Sequence, residues 1–245
     1  FEVTGGCKLS GEITPQGAKN EALQVLCAVL LTGEEVIISN IPDILDVRML
    51  VRMLDDLGVQ VSRISSDTYS FKAAGVVTGK MYESAFLEKA KMLRGSVMLV
   101  GPMLSRFRKS VLPRPGGDKI GRRRMDTHIV GLQKLGTEVE YDNTRGYYVL
   151  SAGTLRGADI LLDEPSVTGT ANIIMAAVMA KGKTTIYNAA CEPYVQQLCR
   201  MLVSMGARID GIGSNLLNIE GVRELRGCSH TILPDMIEIG SFIGM

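Results

Sequence analysis

Apolar and polar positions follow the same order three times along the chain. Each round has an apolar helix, a short strand, a polar loop, a second helix ending in "LG" or "MG", and another strand. The rounds contain NEALQVLCAVLLTGEEVII with VRMLVRMLDDLGVQV, GSVMLVGPMLSRFRKSVL with HIVGLQKLGTEVEY, and NIIMAAVMAKGKTTIY with YVQQLCRMLVSMGARID. The pattern predicts an α/β domain of three stacked helix–strand units around a shared core.

The second helix of each round is amphipathic. In the first round Val51, Leu54 and Leu57 are three residues apart, which is the spacing of one helix face. A glycine then follows each of these helices, and we expect it to adopt the left-handed conformation that ends a helix. The three glycines are Gly58, Gly136 and Gly206.

The second round differs from the others by a longer polar loop. Val36, Val111 and Thr185 occupy equivalent strand positions, and the distance to the next cap glycine is greatest from Val111. The extra residues fall in RPGGDKIGRR, and residues 106–124 hold eight of the 27 basic residues with a single acid. Repeat proteins commonly place function in one variable loop, so this loop is the first candidate for a binding site.

Composition narrows the class of protein. The 245 residues carry a net charge of +1, with few aromatic residues and no tryptophan, which gives no general signal for nucleic acid. No apolar run is long enough for a membrane span, and the first residues do not resemble a secretory signal. The five cysteines lack a C-x-x-C pair and the two histidines lie at no ligand spacing, so we expect reduced thiols in a cytoplasmic protein and no metal site.

The two ends of the sequence do not fit the three-round plan. DMIEIGSFIGM begins like a fourth round and stops in an apolar run. We therefore expect the natural protein to continue beyond Met245. The predicted division is an edge of another domain at 1–18, a complete three-unit domain at 19–233, and a crossover into the other domain at 234–245.

Several motifs together resemble the UDP-N-acetylglucosamine 1-carboxyvinyltransferases, the enolpyruvyl transferases of peptidoglycan synthesis. They are GEITPQGAKNEAL, MLRGSVMLVGPMLSRF, PGGDKIGRRRMDTHI, PSVTGTANIIMAA, NAACEPYV and LPDMIEIGSF. The resemblance covers the whole chain, and its motifs are spaced as in that family.

The resemblance implies a fold and a reaction. The fold is an inside-out α/β barrel type with two similar domains of three units each and the active site in the cleft between them. The reaction moves the enolpyruvyl group of phosphoenolpyruvate to the 3-hydroxyl of UDP-N-acetylglucosamine with release of phosphate, through addition and then elimination. It requires no metal or organic cofactor, and it takes place in the cytoplasm without a nucleic-acid or membrane partner; the oligomeric state stays open.

The resemblance also assigns roles to cationic residues. Lys19 and Asn20 match contacts to phosphoenolpyruvate and the sugar, although the residues alone suggest a solvated lysine and a helix cap. Arg94 matches an arginine that binds the nucleotide-sugar region, where a planar guanidinium can hold two phosphate oxygens. Without the family, Arg94 with Lys89 and Lys91 is typical of a solvated helix face.

Two further stretches match contacts to the nucleotide. The first is the run Arg123, Arg124, Met125, Asp126 and Thr127, which the family uses for the uracil and diphosphate, although the family usually has proline where Arg124 stands. Asp126 could also cap the following helix. The second stretch is Ser166 and Val167, with Ser166 a candidate cap. Some relatives have lysine where Glu164 stands, and an acid there does not attract a diphosphate.

Asp118 occupies the position at which most family members have a cysteine. Gly116 and Gly117 allow the loop to turn sharply and to carry this side chain over a substrate. Either side chain can donate a proton if its pKa is suitable, so Asp118 is the candidate catalytic acid. The alternative is a surface ion pair with Arg122 or Arg123.

The remaining polar candidates favour structure over chemistry. His128 and His230 are expected to be structural, and Asp235 is expected in a turn at the domain crossover, with a hinge-side role open. Two rival functions stay open at this point: the enolpyruvyl transferase of the shikimate pathway, and a non-enzymatic module that binds anions through the basic loop.

Overall fold

The computed structural model describes residues 2, 4–6, 8–113 and 125–245. The helices within these ranges are α1 Lys19–Ala28, α2 Leu45–Asp56, α3 Ser84–Met92, α4 Val100–Phe107, α5 Asp126–Lys134, α6 Val167–Ala177, α7 Pro193–Ser204 and α8 Met236–Gly244. The strands are β1 Glu35–Ser39, β2 Gln60–Arg63, β3 Tyr69–Lys72, β4 Lys109–Pro113, β5 Thr137–Asp142, β6 Tyr147–Ala152, β7 Asp159–Leu161, β8 Lys183–Tyr187, β9 Arg208–Asp210, β10 Leu216–Glu220 and β11 Cys228–Thr231. Short 3-10 helices cover Val29–Leu31, Ala73–Gly75, Thr78–Tyr82 and Arg94–Leu99.

The three predicted units are confirmed, and each forms its own small sheet. The strand orders are β11-β1-β3-β2, β4-β6-β5 and β7-β8-β10-β9. In each sheet the last strand of the unit inserts between the two strands that precede it, and it runs antiparallel to both. The sequence pattern predicted two strands per unit and missed this middle strand. The sheets do not close into a barrel within the described part of the chain.

A parallel strand completes the first and third units. In the third unit β7 pairs with β8, and in the first unit β11 pairs with β1 although it lies near the end of the sequence. The N–H of Ala18 donates to the carbonyl of Leu233 at 2.8 Å, so α1 begins next to the point where β11 ends. Segments distant in sequence therefore build one unit.

The inner helices supply most of the core, because they are apolar on nearly every side. Nine of the eleven residues of α6 are buried, against six of twelve in the outer helix α7. Glycines allow the neighbouring helices to approach α6 closely: a Cβ at Gly101 would lie 2.3 Å from the carbonyl oxygen of Asn172. The predicted cap glycines are also confirmed, with φ of 93° at Gly58, 95° at Gly136 and 104° at Gly206.

The segments on either side of the three-unit domain pack less tightly. Residues 8–14 are exposed and contain no helix or strand, and α8 has no buried residue. The boundaries at 18 and 234 stay predictions. No helix of the described residues has the length and hydropathy required to cross a membrane.

Candidate active site

The predicted site residues that the structure describes lie at or beside the first residues of helices. One of these helices, α6, connects the parallel strands β7 and β8, and ligands of open α/β sheets commonly bind where such a helix begins. Lys19 begins α1, Asp126 begins α5 and Val167 begins α6. Arg94 begins the 3-10 helix that leads into α4. Free N–H groups and the positive end of the helix dipole make such starts favourable for anions.

Lys19 is held at the start of α1 by two carboxylates. Its Nζ lies 2.5 Å from Oδ2 of Asp46, and both side chains are about two-fifths exposed, at 45% and 40%. Its backbone N–H donates to Oδ2 of Asp235 at 3.2 Å. The ammonium group therefore faces solvent at a fixed place, and an exposed pair of this kind is weak enough for a phosphate to replace Asp46.

Asn20 does not cap α1, so the capping role expected from the residues alone is wrong. The N-cap is Ala18, whose own side chain makes no capping bond. The Asn20 side chain lies beside the hydroxyl of Tyr194 instead, close enough to influence the pKa of that hydroxyl. Burial, together with the negative charge of Asp235, raises the pKa of Tyr194, so this hydroxyl stays protonated at neutral pH.

Asp235 caps two helices at the crossover. Its Oδ1 accepts hydrogen bonds from the N–H groups of Ile237 and Glu238 at 2.8 and 3.3 Å, in the first turn of α8. Its Oδ2 accepts the N–H of Lys19 in α1. The structure therefore places Asp235 at the N-cap of α8 and not in the turn that was predicted, and its side chain joins the starts of α1 and α8.

A second cluster forms where α5 and α6 begin. Ser166 caps α6 as predicted, with Oγ accepting from the N–H of Gly169 at 3.2 Å. Thr127 lies against the same turn, since a Cβ at Gly169 would be 2.9 Å from its methyl carbon. Its hydroxyl donates toward Asp163 Oδ1 at 3.3 Å or Glu164 Oε1 at 3.5 Å. The two acidic side chains therefore face this cluster.

The start of α5 departs from the prediction in one detail. The N-cap is Met125, and Asp126 is the first residue inside the helix. The capping role suggested for Asp126 is therefore wrong. Met125 is half-buried and packs against the core, which fixes the direction in which the chain enters α5.

Arg94 lies close enough to α5 for its charge to act on the imidazole of His128. Burial first, and the positive charge of Arg94 second, lower the pKa of His128 to about 4. The next residue, Gly95, packs on α1, where an added Cβ would be 2.9 Å from Leu23 Cδ1. His128 itself is 3% exposed and hydrogen-bonded on both ring nitrogens, which fits the structural role predicted for it.

Three predicted site residues lie outside the described residues: Asp118, Arg123 and Arg124. The described residues on either side are Pro113, which ends β4, and Met125, which precedes α5. The described residues contain no group of three or more histidine, cysteine, aspartate or glutamate side chains able to hold a metal ion.

A family assignment follows from comparison with known sequences. The sequence profile described as EPSP synthase (3-phosphoshikimate 1-carboxyvinyltransferase) matches residues 3–245. The chain belongs to this family. The profile is described by an enzyme that acts on 3-phosphoshikimate, but relatives with high sequence identity to the chain are named for UDP-N-acetylglucosamine. The UDP-N-acetylglucosamine 1-carboxyvinyltransferase of Bacteroides thetaiotaomicron is 63% identical over 245 residues, and that of Porphyromonas gingivalis is 60% identical.

These alignments cover 100% of the chain but 56% of each relative, so the chain spans about half the length of the curated relatives it matches.

Solved structures of family members share the fold. The enolpyruvyl transferase NikO from Streptomyces tendae superimposes with a TM-score of 0.83 at 20% identity, over 98% of this chain and 55% of NikO. EPSP synthase from Acinetobacter baumannii gives 0.71 at 17% identity, over 95% of this chain and 52% of that chain. The expected enolpyruvyl transferase fold is therefore confirmed.

Sequence reasoning missed the partners that hold the candidate residues in place. Asp46 lies against Lys19 and Tyr194 lies against Asn20, each from another element, while Asn172 binds His128. No local pattern marked these three partners. For Asn172 a signal was available, because an amide in the apolar run NIIMAA is costly to bury without partners.

Proposed function

We propose that the protein to which this chain belongs transfers the enolpyruvyl group of phosphoenolpyruvate to the 3-hydroxyl of UDP-N-acetylglucosamine, with release of phosphate, in the cytoplasmic stage of peptidoglycan synthesis. The observation that carries the proposal is the 63% identity to relatives of that name over the whole chain. The position of Lys19, Arg94 and Ser166 at or beside helix starts supports it, because both substrates are anionic.

The described residues suggest which side chains bind each of the two substrates. Lys19 and Asn20 bind phosphoenolpyruvate, with Tyr194 orienting the Asn20 amide. Arg94 provides a planar guanidinium beside the α5–α6 cluster, where Thr127, Ser166 and Val167 contact the nucleotide. Met125 and Asp126 contribute to the same contact by position. Arg123 and Arg124 add positive charge from the loop.

Asp118 is the proposed proton donor. In the addition step the 3-hydroxyl of the sugar gives its proton to a base and its oxygen bonds to C2 of phosphoenolpyruvate, while the electron pair of the C2=C3 double bond takes the proton of Asp118 at C3. Elimination then removes phosphate and a proton, which restores the double bond. Nothing in this sequence of steps requires a metal or an organic cofactor.

The shikimate-pathway reaction is the second candidate, because the family profile carries that description. The identity of 17% to the Acinetobacter EPSP synthase against 60–63% to the nucleotide-sugar enzymes favours the first candidate. A non-enzymatic anion-binding module is the third, and the family membership of the chain disfavours it.

Calorimetric titration of the full-length gene product tests the proposed site. UDP-N-acetylglucosamine should bind and shikimate 3-phosphate should not. Arg94→Ala should weaken binding of the nucleotide sugar by about 10-fold or more, the loss of one charge-assisted contact. Lys183→Ala is the matched control, since Lys183 is an exposed cation at the amino end of β8, and its affinity should equal that of the wild type. Binding of shikimate 3-phosphate in place of the nucleotide sugar would reverse the assignment.

A further inference from the structure

A buried amide fixes the direction of a hydrogen-bond chain that ends at the proposed nucleotide site. Asn172 in α6 is fully buried. Its Oδ1 accepts the N–H of Gly101 at 2.5 Å, and its Nδ2 donates to the carbonyl of Val97 at 2.9 Å. An N–H can only donate and a carbonyl can only accept, so these two backbone groups determine which end of the amide is oxygen.

The amide in turn fixes the tautomer of His128. Nδ2 of Asn172 lies 3.1 Å from Nδ1 of the imidazole. Because Nδ2 carries hydrogens, Nδ1 must accept and cannot carry a proton. The buried ring is neutral at neutral pH, since its pKa is lowered to about 4 by burial and by Arg94. Its one proton therefore sits on Nε2.

The proton on Nε2 points to Thr168. The distance from Nε2 to Oγ1 of Thr168 is 3.2 Å, so the imidazole donates and the hydroxyl oxygen accepts. The hydroxyl proton of Thr168 must then point to a different acceptor. Among the described residues no protein atom accepts it, and the side chain is exposed in the first turn of α6, two residues after Ser166.

We propose that Thr168 is a further substrate-binding residue, whose hydroxyl donates a hydrogen bond to an oxygen of the nucleotide sugar, and that His128 and Asn172 are positioning residues that set the direction of this donation. The inference rests on the proposed function, because it adds a contact to the site of Ser166 and Val167. The favoured acceptor is an oxygen of the diphosphate, since the start of α6 presents backbone N–H groups and the positive end of the helix dipole at the same place.

The hydrogen bonds from Asn172 through His128 to Thr168 also fix the direction in which the Thr168 hydroxyl donates, without placing a further charge at the site. A protonated His128 would add a second cation beside Arg94 and would still donate to Thr168. The neutral imidazole with its proton on Nε2 makes the same hydrogen bond to Thr168 and avoids charge repulsion with Arg94. The hydroxyl thus behaves as a donor toward ligand, whereas an unconstrained threonine can donate or accept.

Binding of UDP-N-acetylglucosamine to the full-length gene product tests the proposal. Thr168→Val removes the hydroxyl and keeps the shape, and it should weaken binding by about 10-fold, the loss expected for one hydrogen bond to a charged acceptor. Thr168→Ser keeps the hydroxyl and should stay within about 3-fold of the wild type. Thr144→Val, in the exposed β5–β6 turn, is the matched control and should have no effect.

A ligand-free measurement tests the positioning role separately. Nitrogen NMR of the imidazole should show His128 protonated on Nε2 and unprotonated on Nδ1 at neutral pH. A proton on Nδ1 would overturn the relay. If the wild type binds the nucleotide sugar and Thr168→Val binds equally well, the binding role of Thr168 is wrong while the proposed function stands. If the wild type does not bind the nucleotide sugar at all, the proposed function fails and the role of Thr168 falls with it.

Discussion

Acidification should destabilise the domain through His128, and the structure gives the size of the effect. The pKa of this imidazole falls from 6.5 to about 4 on folding, mainly because the ring is buried and secondarily because of Arg94. Above pH 6.5 the ring is neutral in both the folded and the unfolded chain, so its full contribution to stability is present. As the pH falls toward 4, the unfolded chain binds a proton that the folded chain does not, and stability decreases.

The magnitude follows from the two pKa values. One pKa unit of difference is worth about 1.4 kcal/mol, so the complete loss for His128 is about 3 kcal/mol, reached near pH 4. At about pH 5 the loss should be about 2 kcal/mol, because the unfolded imidazole is then almost fully protonated and the folded one is not. A loss of this size is a large part of the stability of an ordinary domain.

Urea denaturation across this pH range measures the effect, with His128→Gln as the comparison. Glutamine cannot titrate, so the difference in free energy of unfolding between wild type and variant should shrink as the pH falls from above 6.5 toward 4. The remaining acid sensitivity belongs to other groups and cancels in the difference. An equal acid dependence in both proteins, or an NMR titration of His128 with a midpoint near 6.5 in the folded state, would refute the reasoning.

Two further predictions concern packing and the basic loop. Gly101→Ala should lower the free energy of unfolding by about 3 kcal/mol in chemical denaturation, because its Cβ would lie 2.3 Å from the Asn172 backbone oxygen. The control Gly153→Ala, with open space around it, should change the free energy of unfolding by less than about 0.5 kcal/mol. Equal stabilities of the two variants would contradict the close α4–α6 contact. The resemblance implies that the epoxide fosfomycin alkylates the loop cysteine of the family, so a protein with Asp118 should resist the drug, and Asp118→Cys should acquire a covalent adduct by mass spectrometry because a thiolate is the stronger nucleophile. A drug adduct on the wild-type carboxylate would contradict this interpretation of the loop.

The repeat architecture could be predicted from the sequence because its signals are local. The spacing of Val51, Leu54 and Leu57, and the glycines that end the outer helices, depend on neighbouring residues alone. The cap at Ser166 is equally local, since its oxygen bonds an N–H three residues later. Each of these features reflects a period or a conformational preference that the sequence displays directly.

Features that depend on distant segments could not be predicted in this way. The strand β11 completes the first unit by pairing with β1, and no periodicity indicates a partner so far along the chain. The residues alone suggested that Asn20 caps its helix, but its side chain lies beside Tyr194 of α7. His128 was correctly expected to be structural, yet its direction of donation depends on Gly101 and Val97 through Asn172. Contacts of this kind between distant segments are determined by tertiary packing, which local sequence patterns do not display.

The most direct test of the central claim is product analysis of the full-length gene product incubated with phosphoenolpyruvate and UDP-N-acetylglucosamine. The account predicts release of one phosphate for each nucleotide sugar consumed, and a product whose mass equals the nucleotide sugar plus the enolpyruvyl group. The same incubation with shikimate 3-phosphate as the acceptor should yield neither phosphate nor product. Transfer to shikimate 3-phosphate alone, or no transfer to either acceptor, would contradict the account.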